Sequence, residues 1–131
     1  MDRTAVARRK GTAFDAVDWA NTVMKPANIF DNIPAALPEE LFTTLHHAKG
    51  LRIERIVSQG HVSPSDFWYD QDDNEWLIVL QGSATIQFEG DAKPVQLERG
   101  AYLNIPVHRR HRVISTSPTE KTIWLAIHYS D

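Results

Sequence analysis

The sequence predicts an all-β domain, a jelly roll or closed sandwich, and three observations lead there. From Leu51 onward, about eight short apolar runs follow one another at roughly ten-residue spacing, with Gly, Pro, Asn and Asp between them. The run "SATIQFE" alternates with period two, placing Ala84, Ile86 and Phe88 on one face and Thr85, Gln87 and Glu89 on the other. No segment of crossover-helix length separates the runs, which argues against a parallel sheet.

The chain opens with residues 1–23, an N-terminal extension to a barrel domain over residues 24–131. "MDRTAVARRKG" is basic and aperiodic. "TAFDAVDWANTVM" predicts one short amphipathic helix, with Thr12 as N-cap and Phe14, Val17 and Val23 partly on one face. The extension reads as a loosely attached leader, and Met24 is a second candidate start. "PANIFDNIP" is extended and punctuated by proline. "PEELFTTLHHAKG" carries helix signals: Pro38 near the first turn, Glu39 and Glu40 at the positive end of the dipole, His46 and His47 at its negative end, Gly50 as the stop. The strands expected after it are "LRIERIVS", one beginning at "FWY", "EWLIVLQG", "SATIQFE", "PVQLE", "AYLNIP", "RVISTS" and "TIWLAIHY".

A chain of 131 residues fits one domain with a real core. A net charge of -3 gives no reason to expect nucleic acid as a partner. With no cysteine there is no disulfide, thiolate metal site or Cys nucleophile. No apolar run is long enough for a membrane span, and the N-terminus lacks the apolar core of a secretory signal, so the expected address is the cytoplasm.

Two spaced patterns carry chemistry. Glu75 is followed by six residues and Gly82; Gly100 is followed by five residues, Pro106, and then His111. Together, in this order and on this strand pattern, they resemble the two signature motifs of the cupin superfamily over Leu51–Tyr129. The resemblance implies a jelly-roll β-barrel holding a divalent metal on a His-X-His pair, a glutamate and a further histidine. Glu75 matches the glutamate and His111 the last histidine. The paired histidines are missing: their positions fall on Trp68 and Asp70 with a four-residue gap before Glu75, or on Tyr69 and Gln71 with a three-residue gap. His108 stands where the second motif has a glycine.

The resulting expected metal set is Asp70, Glu75 and His111, with Gln71 as the alternative donor. Two carboxylates and an imidazole suit Zn, Mn, Fe(II) or Ni. Trp68 is expected to line the pocket and Arg112 to clamp an acidic group of a ligand. Tyr69 and His61 are the candidates for proton transfer. Three functions follow. One is a metal-bearing barrel acting on a small oxygenated metabolite. Another is a metal-free, non-catalytic module for a carbohydrate-like or acidic ligand. The third is a metal-free sugar-nucleotide epimerase using His61, Asp70 and Tyr69. Whether the chain is an enzyme is left open by the sequence. A homodimer is expected from the family and from the edge that "LRIERIVS" would otherwise leave unpaired.

Overall fold

A computed structural model describes residues 23–131. The helix expected from Thr12 lies outside the described residues. Contacts divide the chain into two units, residues 1–31 and Asn32–Asp131. In the first, Asn28 closes a turn: its Oδ1 accepts the Phe30 N–H at 2.8 Å and its carbonyl accepts the Asp31 N–H at 3.0 Å.

The second unit carries eight strands: β1 (Leu41–Ala48), β2 (Leu51–Ser58), β3 (Asn74–Gln81), β4 (Ala84–Phe88), β5 (Val95–Leu97), β6 (Tyr102–Ile105), β7 (His111–Thr116) and β8 (Thr122–Tyr129). They form a five-stranded sheet of order β1-β2-β8-β3-β6 and a three-stranded sheet of order β5-β4-β7. Every ladder is antiparallel. This is the predicted all-β architecture, and among the described residues there is no helix.

Side-chain alternation fixes what lies between the sheets. Directly opposed residues share a face, and β3 pairs with β8 as Glu75 with His128, Leu77 with Ala126 and Val79 with Trp124. All six are buried. Ala84, Ile86, Leu97 and Ile105 complete this core with Leu77, Val79, Trp124 and Ala126. A second cluster, Leu37, Val57 and Ile123, packs on the outer face of the larger sheet with Ile33, Leu41 and Leu80. The inner cluster therefore ends, at the Glu75–His128 row, in polar groups.

Three expectations need correction. Residues 41–48 are a strand, and Gly50, at φ +71°, belongs to the hairpin turn into β2. The helix signals at Pro38, Glu39 and Glu40 are local and weak, and seven cross-strand pairs with β2 outweigh them. Among the Phe67, Trp68 and Tyr69 trio only Tyr69 pairs, in an isolated bridge with His111. Finally, β2 lies between β1 and β8, so the open edge on that side is β1. No helix among the described residues is long and apolar enough to cross a membrane.

Candidate functional site

An open cavity lies between the sheets at the polar end of the inner core. Its lining is apolar at Ile56, Leu77, Ile86, Val113 and Trp124, and polar at Glu54, Tyr69, Gln71, Glu75, His111 and His128, with Glu40 and Phe42 at the start of β1.

The backbone explains each placement. Glu75 and His128 oppose one another on β3 and β8, and both point inward. Glu54 opposes Ala126, an inward residue of β8, so Glu54 points inward as well. The diagonal neighbours Glu54 and His128 then meet, Nε2 to Oε1, at 3.0 Å. Tyr69 exchanges both backbone hydrogen bonds with His111, its N–H donating at 2.7 Å and its carbonyl accepting at 3.1 Å. An opposed pair shares a face, so Tyr69 follows His111 into the barrel and stacks on its ring at 5.4 Å. Period-two alternation then brings Gln71 inward and turns Trp68 and Asp70 outward.

Two carboxyl–imidazole pairs result. Glu54 and His128 are hydrogen-bonded. Glu75 and His111 face each other at 3.7 Å, longer than a hydrogen bond, with both side chains more than nine-tenths buried. The His111 Nδ1–H donates to the Arg109 carbonyl at 2.9 Å, which leaves Nε2 as the nitrogen facing Glu75. Burial raises the Glu75 pKa; His128 and Arg52 pull it down and Glu54 pushes it up. Burial lowers the His111 pKa, against the hydrogen bond to the Arg109 carbonyl. The Tyr69 hydroxyl is raised by burial and by the surrounding carboxylates of Glu40, Glu75 and Glu54. A polar chain holds the rim: the Trp124 indole donates to Ser58 Oγ at 3.3 Å, and the Ser58 hydroxyl donates to Glu40 Oε2 at 2.5 Å.

Of the residues singled out from sequence, Glu75, His111, Tyr69 and Gln71 share the cavity. Asp70 does not: its Oδ1 lies 2.7 Å from His108 Nδ1 at the surface, so the set Asp70, Glu75 and His111 does not converge. That contact raises the pKa of exposed His108, whose other nitrogen lies 3.6 Å from Asp72. Trp68 is likewise outside, with the Arg112 guanidinium over its ring at 5.9 Å. Arg112 donates to the Ser63 and Pro64 carbonyls at 3.4 and 3.1 Å and does not line the cavity. His61 is also absent from the lining; its Nδ1 accepts the Gln59 N–H at 2.8 Å and its Nε2 faces the Pro38 carbonyl at 3.3 Å. Those positions remove the geometry that a His61, Asp70 and Tyr69 catalytic set requires.

The metal implied by the resemblance can be tested on the donors. Tyr69 and Gln71 occupy the positions of the paired histidines, and a phenol and a carboxamide are poor replacements for two imidazoles. Among the described residues, no group of three or more His, Cys, Asp or Glu side chains is arranged to hold a metal ion. The donor set does not fit the family's metal.

Sequence reasoning missed Glu54 and His128. The available signal was a polar residue on the inward period of a strand: Glu54 two before Ile56, and His128 in step with Trp124 and Ala126.

A cupin-domain family model matches residues 54–128. A protein of known structure from Ralstonia eutropha JMP134, provisionally described as a mannose-6-phosphate isomerase, is 45% identical, covering 82% of this chain and 100% of that one with a TM-score of 0.79. A cupin superfamily protein from Desulfitobacterium hafniense DCB-2 is 21% identical, covering 76% and 84% of the two chains with a TM-score of 0.61. An RmlC-like cupin family protein from Methanocaldococcus jannaschii, with a double-stranded β-helix fold, is 15% identical, covering 76% and 87% with a TM-score of 0.59. No curated protein matches the chain.

Proposed function

Because the chain belongs to the cupin family, we propose that its barrel binds a small oxygenated metabolite without a divalent metal, and that Glu75 and His111 exchange a proton with it. One arrangement supports this reading: two carboxyl–imidazole pairs, carried by β2, β3, β7 and β8, open on one cavity that Ile56, Leu77, Ile86, Val113 and Trp124 also line. Small-molecule sites have this composition, a few convergent polar groups against hydrocarbon. Glu75 and His111 are close enough to reach one substrate and are not tied to each other by a hydrogen bond. Burial moves both away from their ordinary values toward their neutral forms, a property that suits proton transfer.

The provisional description of the Ralstonia protein favours a sugar-like metabolite. An aldose–ketose isomerisation moves a proton between adjacent carbons, which one base and one acid beside the same substrate can accomplish. In that scheme Glu75, as carboxylate, takes the proton from one carbon and returns it to the next, while His111 Nε2 takes the hydroxyl proton of one oxygen and passes it to the other.

Elemental analysis and titration calorimetry on the full chain test the proposal. Purified protein should hold far less than one equivalent of Zn, Mn, Fe or Ni, and its melting temperature should not move when those ions are added. Binding of an aldose should persist in chelator and disappear in Glu75→Gln and His111→Gln. Near-stoichiometric metal that is lost on His111→Ala would overturn the metal-independent reading.

A further inference from the structure

We propose that the barrel cavity selects a ligand bearing an amino group and no phosphate or other anionic group. The inference rests on the cavity reading above and adds the charge class of the ligand. Three carboxyl side chains, Glu40, Glu54 and Glu75, line the cavity, and among the described residues no Lys or Arg does. Arg52 stands nearby, its Nε 4.0 Å from Glu54 Oε2, but its side chain is 44% exposed and outside the lining.

Phosphate groups are held by guanidinium or ammonium groups, or by the N–H groups of a helix N-terminus. The lining offers neither cation, and the described residues form no helix. Electrostatically, the site is the reverse of a phosphate pocket.

The second observation is a missing donor. The Glu75 side chain is 8% exposed, yet among the described residues no hydrogen bond is donated to its carboxyl group; His111 Nε2 lies 3.7 Å away, and His128, its opposite on β8, is engaged through Nε2 with Glu54. Since His111 Nδ1–H is committed to the Arg109 carbonyl, Nε2 presents a lone pair. When Glu75 is ionised, two acceptors thus face one another, and a cation placed between them favours that ionised form against the burial that opposes it. An ammonium group supplies three N–H donors and a positive charge, and can serve both acceptors at once. The rings of Phe42, Tyr69 and Trp124 line the same cavity, and aromatic rings attract cations.

Titration calorimetry with mannosamine, mannose and mannose 6-phosphate tests charge class on one ring. The expected order is mannosamine tightest and mannose 6-phosphate weakest, with roughly a tenfold gap or more between them at low salt. Added salt should weaken mannosamine and leave mannose unchanged. Glu75→Gln should lower mannosamine affinity about tenfold and compress the order. Glu54→Gln keeps the acceptor for His128 and should compress it less; it serves as the second variant if Glu75→Gln fails to fold. Mannose 6-phosphate binding tightest, or an order untouched by both variants, overturns the amino-ligand assignment while the metal-independent cavity stands. Failure of all three sugars to bind also overturns the assignment. Binding of aldoses that requires metal sinks the underlying reading instead.

Discussion

Gly82 marks the corner where the chain leaves β3 in one sheet for β4 in the other. Its φ is +79°, and a Cβ built there meets Thr122 Oγ1 at 2.6 Å, Thr122 Cα at 2.8 Å and the Lys121 carbonyl oxygen at 2.9 Å. Two of these three atoms are backbone, and Thr122 is fully buried, so no rotamer change relieves the contact. Gly90 is the internal control: φ is +88°, and nothing lies within 4 Å of its Cβ position. Gly90→Ala should therefore cost only the left-handed conformation, about 1 kcal/mol. Gly82→Ala adds forced displacement in a packed site, about 1–3 kcal/mol, for a total of about 3 kcal/mol. In a domain of this size that lowers the melting temperature by roughly 10 °C. Urea denaturation of both variants gives the comparison, with an unchanged slope showing that the denatured state is the same. If the two variants lose the same stability within about 0.5 kcal/mol, the close approach of β8 to this corner is wrong.

Two further outcomes follow from the buried groups. Trp124→Ala should destabilise by about 3 kcal/mol, since the indole is 3% exposed but one side already borders open space; urea denaturation measures it. The pH profile separates Glu75 from His111. Burial raises the folded-state pKa of Glu75 above 4.5, so wild type should lose stability relative to Glu75→Gln as pH rises through that value to the raised one, and stay lower above it. Burial holds the folded-state pKa of His111 below 6.5, so wild type should lose stability relative to His111→Gln as pH falls from 6.5 through the folded value. Denaturation midpoints from about pH 4 to about pH 8 give both differences, and a slope of the opposite sign in either refutes the assigned burial effect.

Most of the barrel was legible in the sequence because alternation and turn residues act locally. β3, β4 and β8 lie where "EWLIVLQG", "SATIQFE" and "TIWLAIHY" predict them. β1 was misread because Pro38, Glu39 and Glu40 speak for a helix within a few residues, whereas the pairing of Leu41 with Val57 and of Phe42 with Ile56 is not a local property. The site was harder. The motif spacing permits either Trp68 and Asp70 or Tyr69 and Gln71 to face inward, and these are opposite faces of one extended segment. The choice is made by the Tyr69–His111 bridge, a contact between residues far apart in the chain. Glu54 and His128 stood in correctly read strands, but which period faces the cavity depends on their pairing across β2 and β8.

His108 shows why the fold signature and the donor set can part company. The second motif places a glycine there because the turn needs positive φ, and His108 keeps that conformation at φ +59°. A histidine adopts the left-handed region more readily than a branched side chain does, and this one is further held by its N–H donating to the Gln71 carbonyl at 2.9 Å and by its ring against Asp70. The turn thus survives the loss of its glycine and sets His111 on β7 as the motif requires. The donors obey a different constraint. Tyr69 meets the packing demand of its position by stacking on His111 and meeting Phe67 edge-on at 4.7 Å. Gln71 secures its backbone through His108. Neither role calls for a metal-binding side chain, so the barrel can exchange both paired imidazoles without cost to its turns or sheets. What the exchange does alter is the cavity: a phenol and a carboxamide now stand beside Glu75 and His111 where the motif has two imidazoles, in a space that Glu40 and Glu54 also line.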